Sequence, residues 1–169
     1  DPGVFGSDPV LAAGPAGEIY YFSINFDESR LFKSFDGGVT WAAPRQVTRG
    51  LADKPWMAVD GTHGIGRGNI YIASQNGVTR SADGGYSFTR WVQVRGPDSD
   101  CAGAWEYPTL SVAPDGALYF AAIPGGVANS EDAQYANEFP TFECLAYLPG
   151  YTSFFAVGGG VPNPYGLHG

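Results

Sequence analysis

Charge is in short supply in this chain. Lys, Arg, Asp and Glu make up 15% of 169 residues, 9 of them basic and 17 acidic, for a formal charge of −8. So few basic residues exclude the Lys/Arg stripe that a nucleic-acid surface needs, and the acidic balance disfavours anionic membranes. Long apolar runs are missing as well, so no stretch reads as a membrane span. There is no initiator Met, charged n-region or signal-like apolar stretch; Asp1 reads either as a mature N-terminus after processing or as the start of an excised piece. Cysteine is limited to Cys101 and Cys144. Two residues without nearby His or Cys partners make a poor metal site. In an oxidising compartment they would form one bridge tying the third repeat to the segment after it; the alternative is two unpaired thiols.

What is plentiful is glycine, proline and aromatic side chains: Gly 25, Pro 13 and 15% Phe, Trp and Tyr. Turn residues with that many aromatics suit an all-β chain of short strands, whereas a disordered chain would lack the aromatics.

One stretch occurs twice. Ser34-Phe35-Asp36-Gly37-Gly38-Val39-Thr40-Trp41 is matched by Ser81-Ala82-Asp83-Gly84-Gly85-Tyr86-Ser87-Phe88, 47 residues further on. Each copy predicts a turn in which the Asp carboxylate collects backbone N–H groups and the two glycines take positive φ. The closing aromatic, Trp41 or Phe88, is expected to lie between neighbouring sheets. A spacing near 47 is that of repeat architectures. The Ser-x-Asp-Gly-Gly-x-[Thr/Ser]-[Trp/Phe] pattern resembles the Asp-box of sialidases and other β-propellers. The resemblance implies propeller blades and a structural role for Ser34, Asp36, Gly37, Gly38, Thr40, Trp41 and for Ser81, Asp83, Gly84, Gly85, Ser87, Phe88. It also implies a secreted, extracellular or periplasmic setting. A third copy reads as worn: Ser130-Glu131-Asp132-Ala133-Gln134-Tyr135 keeps Ser and Asp and loses both glycines.

A second frame recurs around Pro9, Pro55 and Pro108, each followed by a short apolar strand, a turn and a strand carrying Ile-Tyr or Leu-Tyr. Proline at a strand start leaves the ladder intact. Together the two patterns predict four strands per repeat and three blades, over about 7–52, 53–100 and 101–144, with 145–169 an unassigned tail. Three blades do not close a propeller, which typically has four to eight. The chain is therefore a piece of a longer propeller, a half completed by a copy of itself as six blades, or an open array.

Chemistry in such a fold belongs where the inner strands converge, which singles out Asp8, Asp53, Lys54, Trp56, Trp105, Glu106 and Tyr107 as candidate channel-rim residues. Facing carboxylates would serve acid/base chemistry or hold a hard cation, and Trp56 and Trp105 would offer a carbohydrate platform. Asp98-Ser99-Asp100 with Glu106 is the one set that suggests Ca²⁺; no other cofactor is implied. Gly64-Ile65-Gly66-Arg67-Gly68 lies between strands with no helix after it, so it is not a phosphate loop. His63 reads as an exposed loop residue.

The sialidase resemblance implies an arginine triad, a Tyr/Glu nucleophile pair and an Asp acid/base. The Arg-Ile-Pro motif that carries the first arginine is missing, Arg30 and Arg80 read as strand-surface residues, and Glu106-Tyr107 is too close in sequence to pair from one strand face. No catalytic residue carries over. The residues favour a structural or interaction module; the alternative is part of a glycoside-hydrolase-type or glycan-binding propeller.

Overall fold

The computed structural model describes residues 6–25, 27–49, 53–75, 77–94, 106–123 and 126–147. They form three four-stranded antiparallel sheets and no helix. The first holds β1 (Ser7–Ala13), β2 (Ile19–Ile24), β3 (Glu28–Ser34) and β4 (Arg45–Arg49). The second holds β5 (Trp56–Val59), β6 (Ile70–Ser74), β7 (Gly77–Ser81) and β8 (Val92–Gln93). The third holds β9 (Glu106–Val112), β10 (Leu118–Ile123), β11 (Gly126–Ser130) and β12 (Glu143–Tyr147). Each sheet is a meander in chain order. Because β12 runs to Tyr147, residues 145–147 belong to a blade strand rather than to the tail.

Side chains alternate across each strand, so the second sheet has one face toward the first and the other toward the third. In the first sheet Tyr20, Phe22, Ile24 and Leu31 face the second, and meet Met57, Ile70 and Ile72 in one buried cluster. In the second sheet Tyr71, Ala73 and Val78 face the third, and meet Leu110, Leu118, Phe120 and Phe142 in the other. The two cores are thus the two seams between blades.

The second and third Asp turns lie at these seams, and the first has the same plan at the outer face of the first blade. Asp36 accepts from the Ser34 hydroxyl (2.8 Å), the Thr40 amide (2.8 Å) and the Thr40 hydroxyl (2.6 Å). Asp83 accepts from the Ser81 hydroxyl (2.7 Å), the Ser87 amide (2.9 Å) and the Ser87 hydroxyl (2.6 Å). The Ser oxygen takes the amide of Gly38 or Gly85 in turn, both at 2.8 Å.

The third turn is complete in geometry though broken in sequence. Asp132 accepts from Ser130, and then from the Thr141 amide (2.8 Å) and hydroxyl (2.5 Å), with Phe142 closing the turn. Residues 134–140 stand as an insertion where the intact copies have only Gly38-Val39 or Gly85-Tyr86, which is why Gln134 and Tyr135 matched nothing.

Closing aromatics follow one rule. Phe88 packs against the first seam and Phe142 is buried in the second, edge-on to Phe120 at 6.3 Å. Trp41, expected in a seam, is instead 40% exposed and lies edge-on to Tyr21 of its own blade at 6.1 Å. Its face of β2 and β3 points away from the second blade, and no described residue covers it.

Arg80 also corrects the strand-surface expectation. It is 1% exposed and reaches across the second seam into the insertion, donating to the carbonyls of Ala133 (2.8 Å), Ala136 (3.0 Å) and Glu138 (2.5 Å). Burial lowers its pKa from the ordinary arginine value. Tyr71 donates to the same Ala133 carbonyl at 3.1 Å, and burial raises its phenol to about 12. Arg30 does lie at the surface, paired with Glu28.

The three turn carboxylates tie stability to pH. The Thr40 hydroxyl, with the Thr40 amide and Ser34 behind it, holds the Asp36 carboxyl at about 2, below its ordinary 3.8. Burial pushes Asp83 and Asp132 up, but their hydrogen bonds outweigh it and both end below the ordinary value. A carboxyl lowered on folding stabilises the fold above its unfolded value, and that contribution is lost as pH falls through the folded value. The melting temperature should therefore drop steeply between pH 3.8 and about 2, and an Asp83→Asn/Asp132→Asn variant should start lower and fall less. Thermal melts from neutral to acid pH check this; a flat profile in the unsubstituted chain contradicts it.

Candidate functional site

The strands β1, β5 and β9 are the first of their sheets and lie side by side, β1 next to β5 and β5 next to β9. Pro9 lies in β1, Pro108 in β9 and Pro55 immediately before β5, and the residue before each proline is left-handed: Asp8 at φ 46°, Lys54 at 50° and Tyr107 at 53°. Sterics drive a residue before proline toward extended backbone, so three left-handed ones at equivalent positions are strained in the same way. Such strain costs on the order of 1–3 kcal/mol per residue and persists where the surroundings impose it, most often at binding or catalytic sites. Register shifts at Ser7/Val10 in the first sheet and Ala121/Ile123 in the third mark bulges beside two of them.

All three residues line one cleft of about 570 Å³, with Pro9, Pro55, Pro108, Trp56 and Thr109. Trp56 and Tyr107 are each 44% exposed there. Lys54 Nζ lies 3.7 Å from Asp8 Oδ2, so the one cationic and one anionic lining group neutralise each other across the β1/β5 boundary. The cleft therefore offers two aromatic surfaces, a paired charge and a hydroxyl. That suits a neutral ligand with both apolar and hydrogen-bonding faces better than an ion.

Of the candidate channel-rim residues, the structure brings together Asp8, Lys54, Trp56 and Tyr107. Asp53 is exposed and is not in the cleft lining; its carbonyl instead receives the Ser74 hydroxyl at 2.9 Å. Glu106 opens β9. Trp105, Cys101 and Asp98-Ser99-Asp100 lie outside the described residues. The Cys144 sulfur is in a disulfide. Among the described residues no cluster of three or more His, Cys, Asp or Glu is placed to hold a metal. Thr109 and the left-handed geometry went unread in the sequence; the shared x-Pro frame was the available signal.

The glycine-rich loop serves the fold. Arg67 donates to the Gly61 (3.1 Å) and Thr62 (2.7 Å) carbonyls and across to Pro15 of the first blade (3.2 Å), with His63 exposed beside it.

No protein-family model matches the chain, and no curated protein does either. Among solved structures it is similar to the GH43 BlXynB protein from Bacillus licheniformis, a β-propeller, with a TM-score of 0.50 and 15% identity. The match covers 82% of this chain and 31% of that one, so the chain spans about a third of its length. A likeness at this identity is one of fold: the three sheets are propeller-type blades.

Proposed function

We propose that the chain is part of an extracellular Asp-box propeller whose inner-strand cleft binds a glycan. The observation that carries this reading is the set of three strained pre-proline residues, Asp8, Lys54 and Tyr107, held around one cleft with Trp56. Sugar rings present apolar C–H faces and a rim of hydroxyls, which match exposed aromatic rings flanked by polar groups. Binding rather than hydrolysis is the better fit. Glycoside hydrolysis commonly needs two carboxylates flanking the bond, and among the described cleft residues Asp8 is the one carboxylate. The Asp-box assignment rests on three turns with one hydrogen-bond plan, and an extracellular setting fits the disulfide at Cys144.

Calorimetric titration with a panel of neutral and sialylated oligosaccharides tests the reading. At least one should bind, and Trp56→Ala should weaken it about tenfold or more, roughly 1.4 kcal/mol, without moving the melting temperature. No binding across the panel, or equal binding by the variant, would count against it. A purely structural or assembly role is the second reading, and the bare face around Trp41 favours it.

A further inference from the structure

We propose that the outer face of the first blade is the seat for the third blade of a second copy of this chain, an inference independent of what the cleft binds. The face consists of Leu11, Tyr21, Phe32 and Trp41, with Leu11 65% exposed and Trp41 40% exposed. Position by position these are the side chains that form the seams elsewhere. Leu11 corresponds to Met57 and Leu110, Tyr21 to Ile72 and Phe120, and Trp41 to Phe88 and Phe142. In both existing seams those positions are covered by the preceding blade, so the surface is built for a blade and for the particular blade face that precedes it.

The third blade presents that preceding face at the other end of the chain. Tyr119 stands where Tyr20 and Tyr71 stand, and is 37% exposed where those two are buried. Asn129 stands where Lys33 and Arg80 stand, one residue before the turn serine. Lys33 and Arg80 both donate to carbonyls in the next blade's turn, at Gly84 (3.5 Å) and Ala133 (2.8 Å). Asn129 keeps an amide donor for the same task, and its Oδ1 is buried without a partner. Seating it on the first blade of a copy brings that amide to the turn at Gly37 and Gly38. Two copies joined this way in both directions make six blades around a two-fold axis, within the range of closed propellers. Joined in one direction only, they make a filament through the same contact.

Light scattering on the whole chain from low to high micromolar concentration tests the contact, with Trp41→Lys and Tyr119→Lys as variants. Both positions are exposed, and melting curves confirm that each variant folds. The unsubstituted chain should give twice its 17.9 kDa mass, or a concentration-dependent multiple, and each variant alone should fall to one chain mass. Mixing the two folded variants should restore association, because the Tyr119 face of one still meets the Trp41 face of the other. A single-chain mass for the unsubstituted protein at high micromolar concentration overturns the proposal. So does association that survives both substitutions, or a failure of the mixture to associate.

Discussion

Replacing Arg80 with Ala should cost about 3 kcal/mol or somewhat more, and for a chain of this size lower the melting temperature by roughly 10 °C. Three effects add. Removing the guanidinium takes a charged donor from the part-buried carbonyls of Ala136 and Glu138, and each such bond is worth on the order of 1–3 kcal/mol. Ala133 keeps Tyr71, so its loss is partial. The long side chain also fills the seam, and truncating it opens a void. Arg80→Met separates the contributions, since it restores most of the volume and none of the donors. If the guanidinium bonds dominate, Met should lose nearly as much as Ala, and Lys should recover only part, because one ammonium cannot serve three carbonyls held by a planar fork. Urea unfolding of the three variants is the check. An Arg80→Ala chain within about 1 kcal/mol of the original would mean that the insertion is held by something else.

Gly85→Ala should be nearly as damaging, at about 2–4 kcal/mol, for a different reason. Its φ is +91°, which an L side chain rarely adopts, and an added Cβ would lie 2.6 Å from Leu31 Cδ2 in the first seam. Leu31 is buried and cannot swing aside without displacing the core. Gly38 is its counterpart in the first turn. There φ is +90° and the nearest atom to an added Cβ is Trp41 Cζ2 at 3.6 Å, an ordinary contact, so Gly38→Ala should cost only the backbone strain, about 1 kcal/mol. The contrast between the two is the informative quantity. Equal losses would show that the turn's conformation, rather than the blade seam, sets the cost.

The features legible in the sequence are those fixed by local chemistry. Ser-x-Asp-Gly-Gly specifies a turn through bonds within a few residues, so both intact copies could be read without knowing what surrounds them. The blades followed from their spacing. Whatever depended on the neighbour was harder to see. Trp41 matches Phe88 in pattern, yet the first blade has no described blade before it and the side chain stays half exposed. Arg80 looks like a surface charge because its acceptors are main-chain carbonyls some 50 residues away, which carry no sequence signal of their own. The third turn was read only as a worn copy keeping Ser130 and Asp132, because its Thr and aromatic are displaced by an insertion that changes the spacing while Asp132 still accepts from Ser130 and Thr141. At the cleft, the x-Pro frame located the strand starts, but left-handed backbone before proline runs against local preference and only the packed strands impose it.

The two surfaces of this molecule differ in kind. The outer face of the first blade repeats a packing solution used twice within the chain. The cleft instead stores strain at three equivalent positions, and the strain is what argues for a ligand there.

The most direct test of that claim is an NMR titration following the four tryptophan indole N–H resonances as the best-binding oligosaccharide is added. The account predicts that the Trp56 resonance shifts and saturates with the binding curve while Trp41, on the outer face, stays in place. A Trp41 shift with Trp56 unmoved would place recognition outside the cleft and contradict the account.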